Sequence, residues 1–229
     1  FKRILTAEDV WCQGFSEPEN GSDLGNAQTR AVRDGDEYVI NGQKIWTTMG
    51  NFAQYMILLA RTNPDTPRKY DGLSFFLSPM NIAGVETRPI RKLTGEYGFT
   101  ETFFTDARIP ANCLMGEEGQ GWKIAMQTLQ YERGAEAGAA GGQMMVRVTV
   151  EDMINELQGI SRDEAAVLED PLLRDELVRA VMEEKSQILG VRRGAIPGLS
   201  SDYPGSLLLS GKLRMSESTR RMRQLAIKL

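Results

Sequence analysis

The sequence predicts an α+β protein: an antiparallel β-barrel or sandwich domain over residues 1–112, followed by a C-terminal α-helical bundle over residues 113–229. Three observations carry this reading. Up to about residue 110, Gly, Pro, Asn and Asp turn signals recur at short intervals between β-favouring runs. From Trp122 onward the apolar residues recur with a helical period. Between the two, Gly116, Gly119 and Gly121 loosen a junction.

The strand candidates follow in order. Ala27 to Arg33 is the first, ended by Asp34-Gly35-Asp36. Glu37 to Ile40 and Gln43 to Trp46 flank Asn41-Gly42, the strongest short hairpin signal, because both central residues of a type I′ turn need φ > 0. Tyr55 to Arg61, Leu73 to Leu77 and Glu101 to Asp106 come next, separated by Pro64-Asp65, Asp71-Gly72, Pro79, Gly84 and a mixed loop from Lys92 to Gly98. Six or more short strands suit a small sandwich or barrel, which Ile109-Pro110 closes.

The helices are read from spacing. Trp122, Met126 and Leu129 fall at i, i+4 and i+7, and Leu173, Leu177 and Val181 repeat that spacing after Asp170-Pro171, a cap and first-turn proline. A third helix begins near Pro204 and carries Leu208, Leu209, Leu213, Met222 and Leu225, with Gly194 to Asp202 as its connector. Apolar faces of this kind need a partner, either a further helix or another subunit, so a homo-oligomer is expected.

Composition narrows the chemistry. With 229 residues, 41% hydrophobic and 25% charged, the chain has a globular rather than a disordered composition. Its 27 Lys and Arg against 31 Asp and Glu give a net charge of −4 with the bases scattered, so nucleic acid is not an expected partner. No stretch approaches the ~18 apolar residues of a membrane span. The absence of His rules out a Ser-His-Asp triad and removes the commonest metal ligand, so no metal site is expected. Cys12 and Cys113, with no CxxC pattern, read as buried thiols in a reducing cytoplasm. The chain starts at Phe1 without Met and stops at Ile227-Lys228-Leu229 inside a periodic segment, so truncation at both ends is expected.

Two segments hold most of the chemical information. Trp11 to Leu24 is a Gly- and Ser-rich loop that either forms a plain polar turn or presents backbone N–H groups and the Ser16 and Ser22 hydroxyls to an electron-rich ligand. Asn41 to Thr48 delivers an indole beside two hydroxyls. Trp46 there either stacks on a flat cofactor or packs in the barrel core with Thr47 and Thr48 paired across strands. Gly134, Gly138, Gly141 and Gly142 lie among alanines in a helical segment, where each Gly costs ~1 kcal/mol relative to Ala; they either allow close approach to a neighbouring backbone or a ligand or permit tight helix packing. Arg220, Arg221 and Arg223, near Glu217, read as a solvated face.

Gly14-Phe-Ser-Glu-Pro-Glu-Asn-Gly-Ser-Asp23, followed by Asn41-Gly-Gln-Lys-Ile-Trp-Thr-Thr48, resembles the paired flavin motifs of the acyl-CoA dehydrogenase family. Ile109-Pro-Ala-Asn-Cys-Leu-Met-Gly-Glu-Glu-Gly-Gln-Gly-Trp122 resembles that family's link from β-domain to C-terminal helices. The resemblance is specific over residues 11–134 and looser beyond.

The resemblance implies an FAD-dependent oxidoreductase of fatty acid β-oxidation, here the flavin-binding middle β-domain and part of the C-terminal helices, with the N-terminal helical domain and the C-terminal end missing. In such a protein Gln13, Phe15 and Ser16 line the flavin, Ser16 standing where many members have Thr. Trp46 and Thr47 flank the ring and Thr48 reaches toward N5. Ser22 contacts the acyl-CoA substrate.

The implied reaction takes an α-proton onto a carboxylate and passes the β-hydride to flavin N5, giving the trans-2-enoyl-CoA. Glu132 matches the helix-borne base of a subset of members, with Arg133 tuning charge and orientation at the substrate; most members place the base in a segment beyond Leu229, and Glu136 is a weaker candidate. Electron transfer flavoprotein as oxidant and a homodimer or homotetramer as assembly are implied too. Residues 147 to 170 lack the Arg and Phe-Gly pair with which many members hold the FAD pyrophosphate. Two rival readings are an acyl-CoA oxidase or flavin monooxygenase of the same fold, and a non-catalytic FAD-binding subunit.

Overall fold

The computed structural model describes residues 2–132, 149–162, 165–194, 196 and 204–228. The chain divides into two compact units, Phe1–Leu129 and Gln130–Leu229. The division falls after the first turns of a helix that packs on the sheet, whereas the turn signals alone put the change of character near residue 112.

The first unit opens with a short helix, α1 (Lys2–Leu5), and continues through β1 (Trp11–Gly14), β2 (Arg30–Asp34), β3 (Glu37–Thr48), β4 (Tyr55–Arg61), β5 (Leu73–Pro79), β6 (Val85–Arg91), β7 (Tyr97–Pro110) and β8 (Leu114–Met115). The strands form one sheet in the order β6-β7-β3-β2-β4-β5-β8, with β1 parallel to β4. This path is open, so the expected barrel is not closed. Its two arms meet at a single bridge, Arg30 to Arg61. Tyr38, Ile40, Phe104 and Ile109 of one arm nevertheless share a buried cluster with Met56, Leu58, Ala60 and Phe76 of the other. The sheet therefore folds over on itself and buries the faces between its arms, as a sandwich does.

The opposite face of β4 and β5 is covered as well. Leu59, Leu73 and Phe75 cluster there with Phe15, Leu24 and Ala27, and α2 (Gly121–Glu132) closes the layer with Trp122, Ala125, Met126 and Leu129. The helix meets the sheet at Gly121, where a Cβ would stand 2.6 Å from the backbone of Ser74.

Several expectations are corrected. Asn41-Gly42 is not a hairpin turn: β3 runs through it, and the turn is Gly35-Asp36, with Gly35 at φ 63° and Asp34 paired to Glu37. Gly42 serves close approach instead, since a Cβ there would lie 2.7 Å from Thr29 Cα. The Asn41 carboxamide bonds sideways to Asp106, donating to Oδ1 at 3.0 Å and accepting from the backbone N–H at 2.9 Å. β2 starts at Arg30 rather than Ala27 because the chain before it curls as a 3-10 turn at Leu24–Asn26. β6, absent from the strand candidates, carries Pro89 and is an edge strand, where Pro is tolerated. Cys12 is buried, its thiol pushed up to about 12 by desolvation, but Cys113 is only half-buried, since it ends a short turn rather than facing inward from a strand.

The register of β3 against β7 slips twice, between Ile40 and Gly42 and between Lys44 and Thr47. A residue of positive φ accompanies each slip, Asp106 at 48° and Trp46 at 61°.

The second unit holds α3 (Val150–Leu157), α4 (Pro171–Gly194) and α5 (Pro204–Lys228). α3 was not foreseen; its start is a capping box in which the Thr149 hydroxyl accepts from Asp152 N–H at 3.0 Å and the Asp152 carboxylate accepts from Thr149 N–H at 2.8 Å. Asp170 caps α4 by accepting from Leu172 N–H at 2.8 Å. Leu173, Leu177 and Val181 turn inward as expected and meet Val150, Leu157, Met222 and Leu225. Leu213, expected on the apolar face of α5, is exposed, because it lies about 120° around the helix from Leu225. Arg220 pairs with Glu217 and Arg221 with Glu183, all on exposed surface. The side chains of Leu208 and Leu209, Gly134, Gly138, Gly141, Gly142 and Glu136, and most of the connector lie outside the described residues. Among the described residues, no helix is long and apolar enough to cross a membrane.

Candidate functional site

The two information-rich segments meet. β1 delivers the chain into a turn closed by reciprocal backbone bonds, Glu17 N–H to Asn20 O at 3.0 Å and Asn20 N–H to Glu17 O at 3.1 Å. Ahead of it, the Ser16 carbonyl accepts from Ile45 N–H at 2.9 Å. Ile45 can donate there because the second register slip releases it from the ladder with β7. Among the described residues, the amide and hydroxyl of Ser16 have no hydrogen-bond partner.

Beneath this junction lies an ion pair that sequence reasoning missed. The Lys44 side chain, 0% exposed, donates to Glu17 Oε1 at 2.8 Å and to the Phe15 carbonyl at 3.2 Å. Glu17 also accepts from Gln28 N–H at 2.6 Å and Thr29 N–H at 2.8 Å. Burial pushes the Glu17 carboxyl up, but Lys44 and the hydrogen bonds outweigh it and hold the group below the usual glutamate range. Burial pushes the Lys44 ammonium down, with Glu17 opposing. The available signal was periodicity: Lys44 falls in step with the inward residues Tyr38 and Ile40 of β3, and a Lys in such a place demands a carboxylate.

Trp46 departs from the core-packing alternative. It is 57% exposed and leans edge-on against Phe99, ring centres 6.1 Å apart. Its left-handed backbone stores about 1–3 kcal/mol of strain, which the neighbouring ladder must impose. Thr47 is buried opposite Thr100, its hydroxyl without a partner among the described residues, and Thr48 is exposed opposite Phe99.

The other sequence-derived candidates fall as follows. Gln13 is half-buried on β1. The Phe15 side chain is buried in the layer under α2, edge-to-face with Phe75 at 5.9 Å. Ser22 is exposed beside Asp23, which pairs with Lys69. Glu132 is the last residue of α2, exposed, and belongs to the second unit; Arg133 lies outside the described residues. The structure thus joins Ser16 to the Trp46 strand.

An exposed indole, two unpaired donors on Ser16 and an exposed Thr48 hydroxyl suit a planar heterocycle with acceptor atoms along one edge.

Residues 12–107 match the family described as acyl-CoA dehydrogenase, middle domain. Acyl-CoA dehydrogenase IpdE1 of Mycobacterium tuberculosis is 42% identical over 78% of this chain and 44% of its own length. Cyclohexane-1-carbonyl-CoA dehydrogenase of Geobacter metallireducens is 33% identical over 85% of this chain and 49% of its own. Among solved structures, the Tcur3481-Tcur3483 steroid ACAD superposes with a TM-score of 0.83 at 32% identity, covering 98% of this chain and 56% of that one. The chain therefore spans about half the length of the relatives it matches.

Proposed function

The chain belongs to the acyl-CoA dehydrogenase family, and from that premise we propose that it forms the flavin-binding part of an FAD-dependent enzyme that converts acyl-CoA thioesters to trans-2-enoyl-CoA. The observation that carries the proposal is the Ser16–Ile45 backbone bond, which ties the loop that carries the Ser16 donors to the residue next to exposed Trp46. This donor set fits FAD: a ring face for the isoalloxazine and N–H and O–H donors for its pyrimidine edge.

Bound FAD supplies the acceptor for the β-hydride. The chain's own residues do the rest. Trp46, Thr47 and Thr48 of β3, Gln13 of β1 and Ser16 of the loop would hold the flavin ring, the indole through its face and the hydroxyls and amides through hydrogen bonds. Ser22 meets the acyl-CoA, Glu132 takes the α-proton, and Arg133 orients that carboxylate. Electron transfer flavoprotein is the proposed oxidant. Exposed Val178, Met182 and Leu189 of α4 and Met215 of α5 support a homodimer or homotetramer. The free thiols Cys12 and Cys113 support a reducing, cytoplasmic setting. Because two relatives are named for a steroid and for a cyclohexane thioester, ring-bearing acyl groups belong among the proposed substrates.

Anaerobic titration of the full-length protein with straight, branched and ring-bearing acyl-CoA thioesters tests this. Bleaching of the flavin band by one class, slowed by about 10²–10⁴ in Glu132→Gln, is the expected result. A protein that takes up no FAD, or that no thioester bleaches, refutes the proposal; unchanged bleaching in Glu132→Gln moves the base to another carboxylate.

A further inference from the structure

Two neighbouring residues of β3 grip three consecutive residues of the loop. Lys44 Nζ donates to the Phe15 carbonyl and to the Glu17 carboxylate, and Ile45 N–H donates to the Ser16 carbonyl between them. Glu17 in turn takes the amides of Gln28 and Thr29, so the loop is fastened to its own far end as well. With its carbonyl held and both neighbours pinned, Ser16 keeps its amide and hydroxyl available among the described residues. Burial alone does not call for charges here, since a well-packed apolar pair often serves stability as well or better. What an apolar pair cannot do is fix the Phe15 carbonyl and two backbone amides at once.

We propose that Glu17 and Lys44 are positioning residues for the flavin: the buried pair holds Ser16 in the orientation that meets the ring, so flavin affinity and reduction potential depend on it beyond its part in folding. The inference rests on the flavin reading above.

The test uses the full-length protein with Glu17→Gln, Ser16→Ala, their double variant, and the apolar pair Glu17→Leu/Lys44→Met. FAD dissociation constants, the midpoint potential of the bound flavin and apoprotein melting temperatures are measured. Glu17→Gln should weaken FAD by about tenfold or more, and it should add little in the Ser16→Ala background, because its effect passes through Ser16. The apolar pair, which leaves the Phe15 carbonyl and the Gln28 and Thr29 amides without these partners, should melt below the wild type and, measured at a temperature where it is folded, bind FAD as weakly as Glu17→Gln, with a shifted potential. Independent effects of Glu17→Gln and Ser16→Ala, or wild-type affinity and potential in the apolar pair, overturn the inference while leaving the flavin reading intact. A wild-type protein that takes up no FAD overturns both.

Discussion

Replacing Gly121 by Ala adds one methyl group where the structure has no room for it. The new Cβ would stand 2.6 Å from N, Cα and C of Ser74. β5 cannot retreat, because it is bonded on one side to β4 and on the other to β8, and the Ser74 hydroxyl accepts from Gly119 N–H at 3.0 Å. The helix must move instead, which loosens Trp122, Ala125, Met126 and Leu129 from the layer they close. Overpacking of this kind costs about 1–3 kcal/mol. Helix propensity opposes it by at most ~1 kcal/mol, and by less at a first-turn position. The balance is a loss of about 1–2 kcal/mol. Urea unfolding followed by tryptophan fluorescence reads this unit alone, since Trp11, Trp46 and Trp122 all lie within it. The control is Gly190→Ala in α4, where a Cβ meets nothing within 4 Å; far-UV circular dichroism should show a gain of about 0.5–1 kcal/mol. A higher midpoint for Gly121→Ala would refute the argument that backbone contact, and not propensity, sets the residue there.

Acid should weaken the first unit through Glu17. Its folded carboxyl lies below the ordinary value of 4.5, so its contribution is complete above that pH and is lost as pH falls through the folded value; acid unfolding at low and high salt should agree there, and Glu17→Gln should flatten that limb. Trp46→Ala, at an exposed and strained position, should leave the unfolding free energy in urea within about 0.5 kcal/mol of wild type while FAD affinity drops about tenfold; fluorescence titration checks both. Thr149→Ala removes the α3 cap and should cost about 1 kcal/mol in helical signal on melting.

Sequence periodicity exposed the helices well, because α4 announces its start with Asp170-Pro171 and its core face with Leu173, Leu177 and Val181. It failed where a residue type serves two purposes. Asn-Gly marks a turn when both residues need positive φ, but in β3 the same dipeptide supplies a side-chain bridge to Asp106 and a bare Cα against Thr29. Pro89 breaks an inner strand and is harmless at an edge. Of the candidate site, Ser16 and Trp46 were legible as motifs, but the bond that joins them runs through backbone atoms, which no side-chain pattern records. Glu17 and Lys44 are distant in sequence and became a pair only when the loop folded over β3.

The two slips between β3 and β7 cancel. From Glu37–Pro110 to Thr48–Phe99 the strands traverse equal numbers of residues, because the surplus on β7 at Asp106 is repaid on β3 at Trp46. Inward-facing residues are even-numbered in β3 as far as Lys44 and odd at Thr47; in β7 they are even from Thr100 to Phe104 and odd at Ala107 and Ile109. Length in this ribbon is therefore conserved jointly. Deleting a residue at one slip would leave every later pair offset, whereas matched deletions, one in each strand, would restore the alignment and abolish the outward indole together with the amide that reaches Ser16.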